Sequence, residues 1–121
     1  MSKHIELGKR GERLAAHHLQ RKKYQILERN WRFSRAEIDL IVRDGPVLVF
    51  VEVKTRSDDY MGKPQDFVSH HKQELLADAA TVYMEQIGHE WEIRFDVVAI
   101  LIRKGQPVEI EHFEDAFFPG W

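Results

Sequence analysis

The stretch AEIDLIVRDGPVLVFVEVKT, Ala36 to Thr55, decides the fold. Asp44-Gly45-Pro46 is a turn signal between two apolar runs, so Ala36–Arg43 and Val47–Thr55 read as the arms of a hairpin. In the second arm Val47, Val49, Val51 and Val53 are β-branched, and Leu48 and Phe50 fill the other face. A strand apolar on both faces belongs in the middle of a sheet. Glu52 and Lys54 then continue the face of Leu48 and Phe50, because side chains two apart share a face. Strict alternation in the first arm points Glu37, Asp39 and Ile41 one way and Ile38, Leu40 and Val42 the other. Pairing through the hairpin sets Asp39 opposite Glu52 or within one step of it. Three carboxylates and one ammonium therefore gather at one end of the sheet. Unpaired burial there costs several kcal/mol, so that end must reach a solvated cleft or supply its charges with partners.

Working outward, residues 5–22 read as a helix with Leu7, Leu14, Ala15, His18 and Leu19 near one stripe. Gly8 and Gly11 each cost such a helix about 1 kcal/mol relative to Ala, which points to close packing or a ligand's approach. Glu12 shares a face with Gly8, Ala15 and Leu19, toward the edge of the core. The basic run Arg21-Lys22-Lys23 suits the end of the helix dipole. Tyr24–Phe33 reads as a strand, and residues 57–68 as a polar loop with Gly and Pro. Ser69 caps a second helix running to Ile87, with Leu75, Leu76, Ala79, Ala80, Tyr83 and Ile87 inward and Gly88 ending it. Arg94–Ile102 and Val108–His112 complete the strands. The order α-β-β-β-α-β-β predicts a mixed α/β fold, a central sheet flanked by helices, in a single domain over residues 1–121. Phe113, Phe117, Phe118 and Trp121 form an aromatic tail suited to the core or to a second subunit.

Composition excludes several classes. With 121 residues, 43% hydrophobic and 31% charged, the chain is ordinary globular protein, and the absence of cysteine removes disulfides and thiolate chemistry. No signal-peptide pattern opens it, and its longest apolar run, Pro46–Val51, is too short to span a bilayer. The expectation is a cytoplasmic protein without a membrane partner. Net charge is −2, but residues 1–56 hold 13 Lys or Arg against 7 Asp or Glu, and residues 57–121 hold 5 against 13. Such asymmetry hints at a face for polyanions, although a folded surface that mixes the charges fits equally.

Hard oxygen donors of the Asp39–Glu52 kind suit Mg²⁺ or Mn²⁺, which bind through one or two carboxylates and keep several waters. Lys54 is placed to orient water and offset developing charge, with Asp39 the inner ligand and Glu37 acting through water. A cross-strand salt-bridge cluster gives the same spacing, and spacing alone favours that plainer reading.

Further residues carry a resemblance. Gly11-Glu12, Asn30-Trp31-Arg32, Glu37-Ile38-Asp39-Leu40-Ile41, Phe50-Val51-Glu52-Val53-Lys54-Thr55-Arg56, Val68 with Lys72, and Arg94-Phe95-Asp96-Val97-Val98 occur in one order. Together they resemble the YraN-like family of small bacterial proteins over nearly the whole chain. That family is similar in fold to the restriction-endonuclease-like PD-(D/E)xK superfamily, and especially to archaeal Holliday-junction resolvases. The resemblance implies Asp39 as the metal-binding Asp, Glu52 as the second acidic ligand, Lys54 as the catalytic Lys and Glu12 as a helix-borne acid brought to the metal. Ile38 stands where the superfamily has Pro, and Ala36 where the family has Gly; neither removes a ligand.

Around this set, Arg32, Arg35, Arg56 and Lys63 are candidate contacts to a nucleic-acid backbone, with Trp31 and Phe33 interleaved. Trp31 and Phe33 alternate in a strand and fit the core better than an unpaired base. Lys72, at the start of the second helix, can reach a phosphate or simply face water. Adjacent His70 and His71 diverge by roughly 100° on a helix and read as surface residues. Asp96, within an apolar strand, is expected to pair with a basic neighbour. The leading expectation is a Mg²⁺- or Mn²⁺-dependent endonuclease acting on structured or branched DNA, possible as a homodimer. The alternatives are a binding module of the same fold that does not cleave, and a protein-interaction adaptor working through the aromatic tail.

Overall fold

The computed structural model describes residues 3–57 and 68–119, apart from the His4 side chain. Its elements are α1 (Lys3–Arg21), β1 (Gln25–Phe33), β2 (Ala36–Asp44), β3 (Val47–Arg56), α2 (His70–Ile87), β4 (Ile93–Leu101) and β5 (Glu109–Phe113). The strands form one sheet in sequence order. Neighbours are antiparallel except β3 and β4, which run parallel. A parallel pair needs a crossover, and α2 supplies it. The mixed α/β class and the element order expected from the sequence hold. No helix among the described residues is long and apolar enough to cross a membrane.

The helices cover opposite faces. On one, Leu76, Ala79, Ala80 and Tyr83 of α2 pack with Ile38, Phe50, Phe95 and Val97. On the other, Ala15, Ala16 and Leu19 of α1 pack with Val49, Val51, Val98 and Ile100. Strand β3 is therefore buried on both sides, which accounts for its unbroken apolar run up to Glu52. Gly45 takes φ 58°, the left-handed backbone that glycine supplies in a two-residue hairpin turn. Ser69 caps α2, its Oγ accepting the Lys72 N–H at 3.2 Å. Ile87, expected inward, is 41% exposed because the chain turns away at the Gly88 cap. In the tail, Phe113 and Phe117 pack on the α2-side core. Phe118 is 63% exposed, and Trp121 lies outside the described residues.

Strict alternation fails in β2. Ile38 packs with the α2 side, whereas Leu40 and Val42 pack with the α1 side. Across the ladder, Arg29 pairs with Leu40 and Trp31 with Ile38, while Asn30 between them takes φ 52°. Asn tolerates this left-handed backbone better than most residues. The irregularity turns Arg29 and Asn30 toward the same cleft, together with Asp39 and Leu40. The expectation that Asp39 and Ile41 share a face is thereby overturned.

Of the two helical glycines, only Gly11 meets a neighbour. A Cβ there would sit 1.8 Å from Thr55 Oγ1 and 2.9 Å from Thr55 Cβ, whereas Gly8 has nothing within 4 Å. Gly11 lets α1 lie directly on β3.

Away from that contact, Asp96 is fully buried yet well supplied with partners. It accepts from Arg94 Nε at 2.8 Å, Arg94 Nη2 at 3.0 Å and the Asp115 N–H at 2.9 Å, with His112 Nε2 2.7 Å away. Arg94 also donates to Asp44 and to the Tyr24 hydroxyl, so one buried pair ties β1's entry, the β2–β3 hairpin, β4 and β5. Burial alone would raise the Asp96 pKa, but His112, Arg94 and the Asp115 amide outweigh it and hold the carboxyl below its ordinary range.

Two outcomes follow. Gly11→Ala is expected to destabilise the protein by about 1–3 kcal/mol through overpacking, and Thr55→Ala in the same chain to recover part of that loss, read from urea unfolding. Asp96→Asn should cost about 3 kcal/mol near neutral pH by leaving Arg94 poorly compensated. Because the folded pKa is depressed, that contribution is complete above about pH 4 and is lost as pH falls through the lower folded value. The gap between wild type and Asp96→Asn in urea midpoint should therefore narrow in acid.

Candidate metal and nucleic-acid site

Strands β2 and β3 pair from the hairpin as far as Leu40 opposite Val51, and Asp39 and Glu52 are the next residues on each. There Asp39 Oδ2 accepts the Val53 N–H at 2.7 Å. Glu52 is 4% exposed; its Oε1 is bound by Lys72 Nζ from the first turn of α2 and lies 3.9 Å from Lys54 Nζ. Glu52 Oε2 is buried and has no hydrogen-bond partner among the described residues. Strand spacing thus sets Glu52 beside Lys54, and the α2 cap sets Lys72 over both.

Glu12 approaches from α1. Asn30 is oriented with its amide nitrogen toward the acids, 2.9 Å from Glu12 Oε2 and 2.9 Å from Glu37 Oε1. Arg32 pairs with Glu37 at 3.2 Å. Glu37 is held by Arg32 and Asn30, while half-buried Asp39 lies beside buried Glu52.

These positions perturb the titrating groups. Burial, followed by the Glu52 carboxylate, holds the Asp39 pKa well above the ordinary carboxylate range, against the opposing Val53 hydrogen bond. Burial and the carboxylates of Glu37 and Glu52 raise Glu12. Burial, with Lys72 nearby, lowers Lys54. Burial alone would lower Lys72 as well, but Glu52 outweighs it and the ammonium is favoured.

An unpartnered buried carboxylate oxygen and an acid with a raised pKa mark a place short of positive charge, and both atoms are hard oxygen donors. Asp39 and Glu52 therefore fit a Mg²⁺ or Mn²⁺ ion that keeps most of its waters. Among the described residues, no three His, Asp or Glu side chains are gathered to enclose a metal; Glu12 lines the same cleft as Asp39.

The other nominated residues are dispersed. The antiparallel register brings the start of β2 to the same end as the finish of β3, so Arg32, Arg35 and Arg56 lie exposed around that end. Lys72 is committed to Glu52, and Lys63 lies outside the described residues. Trp31 packs edge-on to Tyr83 in the core, but Phe33 is 40% exposed. His70 and His71 are exposed, and Gln73 donates to the Val68 carbonyl. Sequence reading missed the role of Asn30, whose signal was an Asn in the middle of a strand. It also missed Lys9 and Arg13, which bracket Glu12 one helical turn apart and, with Arg29, line a cleft of about 250 Å³ opening on Asp39.

The model of an uncharacterised protein family, UPF0102, matches residues 11–100, a span that takes in every residue of this site except Lys9. A UPF0102 protein of Flavobacterium psychrophilum is 48% identical over 118 residues, covering 98% of each chain. Another, from Thermodesulfovibrio yellowstonii, is 46% identical over 94% of this chain and 97% of its own. One from Rhodococcus jostii is 43% identical over 97% of this chain and all of its own. A match of this extent, at these identities and across distant bacteria, places the chain in the uncharacterised protein family UPF0102.

Proposed function

We propose that the protein is a divalent-metal-dependent endonuclease that hydrolyses phosphodiester bonds in structured or branched DNA. The observation that carries this reading is the pairing of half-buried Asp39 with buried Glu52 where β2 and β3 part, with Lys54 next along the same strand face as Glu52. When bound, a divalent ion supplies positive charge at the scissile phosphate and acidifies water. Asp39, fixed by the Val53 N–H, and Glu52 hold that ion. Lys54 orients the attacking water, and its ammonium offsets the negative charge that develops as the P–O bond to water forms and the bond to the leaving oxygen breaks. Lys72 balances Glu52 in the resting protein. Glu12 and Glu37 act through water at the edge. The resemblance to PD-(D/E)xK nucleases supports the same assignment.

One observation favours a second reading, a module of the same fold that binds nucleic acid without cutting it: Lys72 already neutralises Glu52 from within. Metal-dependent cleavage separates the two. With Mg²⁺ or Mn²⁺, wild type should cut labelled four-way junction, flap, single-stranded or duplex DNA, and Asp39→Asn should lose at least about 100-fold in rate. Binding of junctions by both proteins with cleavage by neither would give the lead to the second reading. In chelator the same substitution should raise the stability to urea by about 1 kcal/mol, because it removes a half-buried carboxyl beside another acid.

A further inference from the structure

The cleft that opens on Asp39 has a basic rim on its α1 side. Lys9 and Arg13 project from neighbouring turns of α1, and Arg29 comes from β1 beside them. Three other cations are committed: Arg32 to Glu37, Lys72 to Glu52, and Arg94 to Asp44 and Asp96. Lys9, Arg13 and Arg29 form no ion pair among the described residues. Three cations gathered around one concave opening focus positive potential there and attract an anion from solution.

The floor limits which anion fits. Glu12 and Asp39 lie at the bottom, so a small free anion seated in the cleft meets carboxylates as well as cations. A chain of linked phosphates does better: one group rests on the rim while the next reaches the acids, where a divalent ion offsets the negative charge. At about 250 Å³ the cleft is slightly below the usual range for small-ligand pockets, roughly 300–1,000 Å³, and takes a strand laid across it instead of a whole ligand swallowed by it.

We infer that this cleft holds the phosphodiester backbone of one nucleic-acid strand, with Lys9, Arg13 and Arg29 as its phosphate contacts. The inference rests on the nucleic-acid reading above and adds the side from which the strand enters, over α1 and β1. It assigns the anchoring role to residues other than Arg32 and Lys72, whose charges are spent internally.

The test is binding of a labelled single-stranded oligonucleotide in chelator, where a metal-dependent enzyme does not turn over, across a salt series. Lys9→Gln/Arg13→Gln/Arg29→Gln should bind at least about tenfold more weakly and lower the salt slope by about 2, at roughly 0.7 per phosphate contact on a single strand. Arg29→Gln alone should lower the slope by about 0.7. A control with the same charge change far from the cleft, Arg21→Gln/Lys23→Asn/Lys104→Gln, should keep the wild-type slope. Asn at position 23 suits the left-handed backbone there, φ 73°. Unchanged slope in both cleft variants overturns the inference, as does equal loss in cleft and control variants. Wild type that binds phosphatidylglycerol vesicles but no oligonucleotide overturns it too. A protein that binds through the cleft and never cuts refutes only the nuclease reading. One that cuts while the cleft variants bind normally refutes only the inference.

Discussion

A buried backbone N–H must find an acceptor, and that of Val53 finds the Asp39 carboxylate instead of a carbonyl on β2. This single bond marks where the hairpin stops being a sheet and becomes a site. Up to Leu40 and Val51 the strands satisfy each other. Beyond them, backbone polarity is met by a side chain, and an aspartate is fixed at the lip of the gap. The left-handed Asn30 on the neighbouring strand completes the same local departure, since its amide reaches two further acids. The charged end of the sheet thus lies where β2 and β3 stop pairing and where Asn30 departs from regular strand backbone beside it.

Two buried carboxylates of the same sheet show what such an interruption does. Asp96 has four close polar partners and a lowered pKa, and it knits the far end of the molecule together. Glu52 has lysines on one oxygen and, among the described residues, no hydrogen-bond partner on the other, and Asp39 beside it has a raised pKa. A fully satisfied buried charge explains itself as structure. A partly satisfied one, beside a second acid, is the kind of arrangement that functional sites retain at the expense of stability.

Most of the fold was legible because its signals were local and repeated. The valines of β3, the Asp44-Gly45-Pro46 turn, and the Ser69 and Gly88 caps each named their element, and each is found there. The juxtaposition of Asp39 and Glu52 also followed from hairpin arithmetic. What alternation could not convey was its own failure: a left-handed Asn30 leaves no periodic trace, yet it separates Ile38 from Leu40. The role of Lys72 was hidden for a different reason, because a lysine in the first turn of a helix looks alike whether it meets solvent or a carboxylate brought from β3. The cleft formed by Lys9, Arg13 and Arg29 depends on how α1 lies across β1, a tertiary fact that no spacing within either element records.

The bare Cα of Gly11 resting against Thr55 has a reach beyond packing. One helix carries Glu12 and two of the rim cations, while Thr55 is the residue after Lys54 on the strand that bears Glu52. A hard steric stop between those two backbones therefore acts as a gauge block, setting the height of the helix-borne groups above the strand-borne ones. Groups from distant parts of the chain are indexed to each other by a missing methyl and a hydroxyl. A side chain added to the helix at that point would lift Glu12 and its neighbouring cations away from the strand, so the two residues set the spacing of the charged groups although neither is one of them.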